Sequence, residues 1–388
     1  MKSNYKNIGE HIQLVDERNK GLQVKQLLGL SITKQFIPSV ANIVGTDMEN
    51  YKIIRKNQFA CSTMQVRRDK KMPIALLQEV DEAIISQAYP IFEIKDEMEL
   101  LPEYLMIWFT RSEFDREACF HAVGGVRGSL EWEDFCEMQL PIPPITKQKE
   151  IIKEYNVIQN RIILNQQLIQ KLEETAQAIY KQWFVDFEFP DENGKPYKSY
   201  GGEMIESELG EIPKGWEVKA IGGISEIKAG GDKPKIFSES KTDNCNVPIY
   251  SNGITNNGLY GYTNKANYPK DSITISARGT IGFSVLRNEP FDAIVRLLVL
   301  IPKFSFYTIY LWQVVKKTEF DNSGSVQNQL TIPQISVLKE VFPIPKILEK
   351  YDPILRLIYQ KQTLLVEQNK KLDDLKNLLL SKLATIEN

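Results

Sequence analysis

The sequence predicts an α+β protein built twice over: two globular domains separated by two long antiparallel helices forming a coiled coil, with an internal pseudo-two-fold repeat. Three observations lead there. Two stretches of the chain match at a spacing of about 200 residues, each match runs into a heptad-patterned segment, and a Pro- and Gly-rich stretch separates the halves.

The repeat comes first, because a duplicated chain asks for a duplicated task. Gly125-Val126-Arg127-Gly128-Ser129-Leu130 lines up with Ser325-Val326-Gln327-Asn328-Gln329-Leu330, and Leu140-Pro141-Ile142-Pro143 with Phe342-Pro343-Ile344-Pro345 after a two-residue insertion. Lys171-Leu172-Glu173-Glu174 corresponds to Lys371-Leu372-Asp373-Asp374, and Ile8-Gly9-Glu10-His11-Ile12 resembles Ile221-Gly222-Gly223-Ile224 at the entrance to each half. Each half therefore passes from a mixed globular region, through a Pro-Ile-Pro stop, into a long helix. The globular parts combine short β-rich runs, such as Ser272 to Ser276 and Phe283 to Leu286, with helical stretches such as Pro102 to Arg116 and Phe306 to Phe320, hence α+β.

The helices carry the clearest local pattern. Tyr155, Ile162, Ile169, Ala176 and Trp183 recur every seventh residue, with Ile151, Ile158, Leu172 and Ile179 on the neighbouring row. Tyr351, Ile358, Leu365, Leu372 and Leu379 do the same in the second helix, with Ile354 and Leu375 expected in the alternate seam. Such a stripe alone fits a core helix of a bundle equally well. Two helices of matched length at matched positions can satisfy each other's seams, and that pairing favours a coiled coil. Ile145 to Phe184 and Ile347 to Ala384 would each extend for roughly 55 to 60 Å. Asn165, Gln362 and Asn369 lie near the seam, where polar residues specify register or simply face solvent.

Asp186 to Lys214 contains Pro190, Gly194, Pro196, Gly201, Gly202, Gly210 and Pro213 among many acids, the composition of a linker or extended loop. The boundaries that follow are a first globular domain at 1–144, a helix at 145–186, a linker at 187–212, a second globular domain at 213–346 and a second helix at 347–388. At 388 residues and 42% apolar content the chain is long enough to bury two ordinary cores. No apolar run approaches the roughly 20 residues that span a bilayer, and Met1 to Glu10 lacks the apolar core of a secretory signal, so a cytoplasmic protein with no membrane partner is expected. Cys61, Cys119, Cys136 and Cys245 are scattered, and only His11 and His121 join them, which disfavours both a disulfide framework and a zinc site. The net charge of −2 is no nucleic-acid signature. The halves differ, however: residues 213–346 hold 16 Lys and Arg against 11 Asp and Glu, and residues 1–144 hold 17 against 21, so the second domain is net basic and the first net acidic.

Ala178-Ile179-Tyr180-Lys181-Gln182-Trp183-Phe184-Val185-Asp186-Phe187-Glu188-Phe189-Pro190, followed by Gly194-Lys195-Pro196-Tyr197 and Leu209-Gly210-Glu211-Ile212-Pro213-Lys214-Gly215-Trp216, resembles the central region of the specificity subunits of Type I restriction-modification enzymes. The resemblance covers essentially the whole chain. It implies two target-recognition domains, each reading one half of a bipartite site in double-stranded DNA, held apart by two antiparallel helices. It further implies that two modification subunits, which bind S-adenosylmethionine and methylate adenine, dock on the helices, and that restriction subunits using ATP and Mg join the full complex. The chain itself would bind no cofactor. Two readers on a stiff spacer suit half-sites about one turn of DNA apart, roughly 10 base pairs, and a pseudo-two-fold chain recruits two copies of one enzyme. The helix residues Tyr155, Ile162, Ile169, Trp183, Phe184, Tyr351, Ile358, Leu365, Leu372 and Leu379 are the candidates for coiled-coil and partner contact.

Candidate DNA contacts lie in turns. Ser276-Ala277-Arg278-Gly279-Thr280-Ile281-Gly282 follows the apolar run Ile273-Thr274-Ile275 and reads as strand, glycine turn and strand; Arg278 has the fork that matches guanine or phosphate, and Gly279 and Thr280 leave room for close approach. Asn252 and Gly253 sit in an amide-rich loop, Asn being suited to a bidentate contact with adenine. Lys228 precedes a Gly-Gly pair and is a candidate phosphate contact. In the first domain Arg67 and Arg68, after Thr63, occupy the corresponding place, and Arg127 with its counterparts Gln327 and Asn328 completes the set. Each of these also has an ordinary reading as a solvated turn.

Catalytic strings are missing. The sequence holds no Asn-Pro-Pro-Tyr or Asp-Pro-Pro-Tyr to hold a flipped adenine, no Phe-x-Gly-x-Gly for a methyl donor and no Gly-x-x-x-x-Gly-Lys-Ser/Thr for a nucleotide, and no carboxylate pair with a trailing Lys stands out as a nuclease centre. A non-catalytic subunit is expected. The competing readings are a two-headed coiled-coil adaptor that binds proteins rather than DNA, and a solitary methyltransferase with a recognition domain.

Overall fold

In the computed structural model, which describes residues 5–39, 47–125, 128–320 and 329–385, the chain divides into two compact units, Met1–Gln167 with Val366–Asn388 and Leu168–Leu365. Both mix helix and strand.

The first unit is built on a four-stranded antiparallel sheet in the order Ile12–Val15, Ile91–Ile94, Phe59–Cys61, Ile74–Leu76. Strand side chains alternate between faces, so Phe59 and Cys61 enter one core while Ala60 enters another. The first of these cores is aromatic. Phe59 and Phe92 stack at 4.9 Å, and Phe109, Phe114 and Phe135 close over them from the helices Pro102–Phe109, Ser112–His121 and Trp132–Glu137. A strand pair, Tyr5–Asn7 with Gln139–Pro141, ties the start of the unit to the entry of the first long helix.

The second unit repeats this plan. Its four-stranded sheet runs Ser225–Ala229, Leu298–Pro302, Ser272–Ile275, Ser284–Arg287, again all antiparallel. Glu217–Ala220 pairs with Lys339–Phe342 where the first unit pairs its own entry and exit strands. The faint sequence match at the start of each half now has a cause. Gly9 and Gly222 lie in equivalent short helices, and a Cβ on them would meet the Cβ of Cys136 at 2.7 Å and of Ser336 at 3.0 Å. Both places need a residue without a side chain so that Ile8–His11 can pack on Trp132–Glu137 and Ile221–Ile224 on Ile332–Ser336.

The first long helix runs Ile145–Tyr180 and continues as a single π-helical turn, Lys181–Val185; the second runs Pro345–Lys382 and ends in a 3-10 turn, Leu383–Thr385. In the first unit Asn165, only 2% exposed, donates to Asn369 Oδ1 at 2.8 Å and Gln368 Oε1 at 3.1 Å, and Lys376 donates to Gln159 at 3.3 Å. In the second, Gln362 donates to the Ile169 carbonyl at 3.1 Å. Numbers rise on one helix as they fall on the other, so the paired segments are antiparallel. The polar seam residues are thus engaged across the pair.

Three expectations about these segments change. Ile354 and Leu375 are 41% and 49% exposed; the second seam row lies one residue later, at Leu355, Gln362, Asn369 and Lys376, and its polar members hid it from an apolar count. Tyr155, Trp183, Phe184 and Tyr351 do not form a free helix–helix stripe. Tyr155 packs against the core of the first unit, and Trp183, Phe184 and Tyr351 are buried in that of the second, where Phe184 meets Tyr310, Tyr351 and Trp216 at 4.7, 4.7 and 6.0 Å. The reason is that both helices end inside globular packing, which claims the large side chains first. Residues 187–212 are no extended loop either. Phe189 stacks between Tyr197 and Trp216, and Met204–Ser207 forms a hairpin with Gly210–Pro213.

Candidate nucleic-acid interface

In the second unit the hairpin Ser272–Ile275/Ser284–Arg287 projects the turn that carries Arg278. The turn is closed by Ser276 N–H on the Phe283 carbonyl at 2.9 Å and by Gly282 N–H on the Ser276 carbonyl at 3.0 Å. Gly279 and Gly282 have φ of 71° and 83°, the left-handed region that glycine tolerates. Arg278, Gly279 and Thr280 are exposed. The Arg278 guanidinium places Nε and Nη2 on Gln329 Oε1 at 3.2 and 2.7 Å, leaving the rest of its fork of five N–H groups directed elsewhere. Ala277 accepts from Leu330 N–H at 3.0 Å, which anchors the turn. Gln327 and Asn328 lie outside the described residues, as does Arg127.

The amide-rich loop beside this turn is held from beneath by Arg287. Its guanidinium lies 3.4 Å over the Tyr250 ring and donates to Thr274 Oγ1 at 2.9 Å and the Asn257 carbonyl at 2.7 Å. Burial pulls it down to about 10, so it stays cationic at neutral pH. Asn252 is in the loop as expected, but its amide faces protein backbone: Oδ1 accepts from Ala277 N–H at 2.7 Å and Nδ2 donates to the Val295 carbonyl at 2.8 Å. Gly253 follows at φ 147°. Lys228 is exposed on Ser225–Ala229 and pairs with Glu226 at 3.0 Å.

An open cleft of about 470 Å³ brings Arg278 together with Gly230, Asp232, Lys233, Val295 and Arg296. Sequence reasoning missed Lys233 and Arg296. The segment around Arg296, Ala293-Ile294-Val295-Arg296-Leu297-Leu298, reads as one apolar strand. In the fold Val295 and Arg296 instead take φ of 53° and 57°, and no residue type there announces a turn.

The first unit hangs its corresponding turn from the same bonds. Ser62 N–H donates to the Pro73 carbonyl at 2.8 Å, and Leu130 N–H to the Thr63 carbonyl at 2.9 Å, so Thr63 occupies the place of Ala277. Between them runs the short helix Val66–Asp69, flanked by left-handed Gln65 and Lys70. Arg67 is exposed but tied down, its N–H on the Gly128 carbonyl at 3.3 Å and Nη1 on the Gly124 carbonyl at 2.9 Å; Arg68 pairs with Asp69 at 2.6 Å. Among the described residues no group of three or more His, Cys, Asp or Glu is placed to hold a metal, and no helix is long and apolar enough to cross a membrane.

The family model of the Type I restriction modification DNA specificity domain matches the chain twice, over residues 41–174 and 213–386. S.MpnORF507P of Mycoplasma pneumoniae is 29% identical over 222 residues, 56% of this chain and 54% of that protein, so the chain spans about half of that relative. The Type I restriction enzyme HindI specificity subunit of Haemophilus influenzae is 21% identical over 416 aligned positions, 90% of each. The crystal structure of a Type-I restriction-modification system S subunit from M. genitalium has the same fold, with a TM-score of 0.66 at 16% identity over 98% of this chain and 95% of the other.

Proposed function

Because the chain belongs to the family of Type I restriction modification DNA specificity domains, we propose that it supplies the DNA sequence specificity of a Type I restriction-modification complex, each globular part reading one half of a bipartite site. The observation that carries this is the double match: one family model fits two stretches, and the units in which they lie are each built on a four-stranded sheet of the same strand order with a cation-bearing turn at the same place. Arg278, Gly279, Thr280 and Lys228 in the second part, with Thr63, Arg67, Arg68 and Arg127 in the first, are the contacts proposed with double-stranded DNA, as are Gln327 and Asn328. A basic turn suits both phosphate and base edges.

The long helices act in this reading as a coiled-coil spacer and as the docking ground for two modification subunits, which restriction subunits join. The support is the exposed apolar residues that the pair turns away from its own seam, among them Val157, Leu164 and Leu168 on one helix and Leu357, Leu364 and Leu378 on the other. The chain itself is non-catalytic and binds no cofactor; S-adenosylmethionine belongs to the modification subunits, and ATP and Mg to the restriction subunits. Its working place is the cytoplasm, where its DNA is.

Methylome sequencing of cells that make this chain with its modification subunit tests the proposal, and two half-sites with a fixed spacer are expected. Inserting a heptad into both helices adds roughly 10 Å, about three base pairs, to the spacer. The half-sites then stay and any remaining methylation moves to a longer spacer; changed half-sites with an unchanged spacer would sink the spacer role. DNA binding by the assembled complex that is insensitive to salt would leave the protein-binding adaptor as the better reading.

A further inference from the structure

The proposed function accounts for Arg278 but not for what surrounds it. Asn252 spends its amide on two backbone groups from two different loops, Ala277 N–H at 2.7 Å and the Val295 carbonyl at 2.8 Å. One of these loops carries Arg278 and the other Arg296, and both arginines line the same open cleft.

The Val295–Arg296 turn is an expensive piece of backbone. Two consecutive left-handed residues, one of them β-branched, persist only where the surroundings over-determine them. The surroundings do so here. Val295 N–H donates to the Gly231 carbonyl at 3.0 Å and Arg296 N–H to the Gly230 carbonyl at 3.1 Å, while Asn252 holds the Val295 carbonyl. Gly230 has to be glycine for this crossing, since a Cβ on it would lie 2.7 Å from the Ala293 carbonyl group. The result is an exposed arginine on a main chain fixed from three sides. A phosphate contact gains little from such fixing, because a flexible lysine serves it as well. A bidentate contact with a base edge needs a fork held at one place.

We infer that Arg296 is a specificity-determining residue that reads a base of the second half-site, and that Asn252, instead of reading a base itself, is the positioning residue that joins the Arg296 turn to the Arg278 turn. This rests on the DNA-reading function proposed above. Asn252 then has a separable role in each direction. Its oxygen serves Arg278 through Ala277, and its NH2 serves Arg296 through Val295.

Two replacements exploit that division. Asn252→Asp keeps an acceptor for Ala277 N–H and loses the donor to the Val295 carbonyl; Asn252→Ala loses both. The full chain is expressed with its modification subunit and each variant's methylome is sequenced, with thermal unfolding of each purified complex as the check on folding. Arg296→Ala is expected to lower discrimination at one position of the second half-site by about tenfold or more, leaving the first half-site unchanged. Arg296→Lys, which keeps the charge without the fork, should relax the same position. Asn252→Asp should relax the Arg296 position alone, and Asn252→Ala the Arg278 and Arg296 positions together. A second half-site unchanged by Arg296→Ala overturns the inference, as does a loss of methylation that is equal at all positions or an Asn252→Asp pattern identical to that of Asn252→Ala. If the unaltered complex yields no bipartite motif, it is the proposed function that has failed.

Discussion

The turn after Phe59–Cys61 and the turn after Ser272–Ile275 are suspended from the same backbone bonds, but the chain strung between those bonds differs. The second unit spans the gap with glycines and lets Arg278 stand out over a cleft. The first spans it with a helical turn and folds Arg67 back onto its own backbone. Duplication therefore preserved the frame and let the content of the frame diverge. A frame is held by burial and by main-chain hydrogen bonds, which many sequences can satisfy, whereas the exposed part of a turn is constrained only by what it touches.

If the frame is what the two units share, its anchors should produce the largest losses. Phe184→Ala removes a buried ring packed on Tyr310, Tyr351 and Trp216 and should cost about 3–5 kcal/mol in denaturant unfolding; a cost below about 1 kcal/mol would show that the aromatic cluster does not hold the second unit together. The next effect falls on the open turn. Arg278→Ala should cost about 1–3 kcal/mol of discrimination in the second half-site and leave the first as it was, read by methylation or by binding to substituted sites. Equal weakening on all sequences would instead make Arg278 a phosphate contact and erase the functional contrast between the turns. Arg67→Ala is expected to be milder and blind to sequence, reducing the slope of log affinity against log salt by about 1; a shift in the first half-site's sequence would show that the tied-down arginine also reads. Lys228→Ala, which breaks only an exposed pair with Glu226, should stay within about 0.5 kcal/mol in both stability and binding.

Much of the frame was legible in the sequence, because repeats and seven-residue periodicity follow from helix geometry and leave regular traces. The long helices begin and end within a few residues of their expected limits. The second seam row was misplaced since Gln362, Asn369 and Lys376 carry no apolar signal. The fate of Trp183 and Phe184 was hidden for a different reason: a heptad stripe does not say whether its last turn meets a helix or a domain core. In the cleft, Arg278 was visible through its flanking glycines. Arg296 was not, because its left-handed backbone is imposed by Gly230, Gly231 and Asn252, residues distant in sequence. For the same reason the backbone bonds that Asn252 makes to Ala277 and Val295 could not be read from its loop.

The first unit takes its last core residues from the far end of the chain. Leu380 and Leu383, which by the repeat stand where Tyr180 and Trp183 stand in the second unit, are buried with Ile151, Tyr104 and Leu140, and Tyr5 donates to the Ala384 carbonyl at 2.9 Å. A ribosome making this protein must therefore finish the whole of the second unit before it supplies the residues that close the first. Domains commonly fold in the order in which they emerge, and here that order is inverted: the continuous second unit can complete itself first, while the earlier-made one waits with an apolar gap. During synthesis that gap is the part of the molecule most in need of a chaperone.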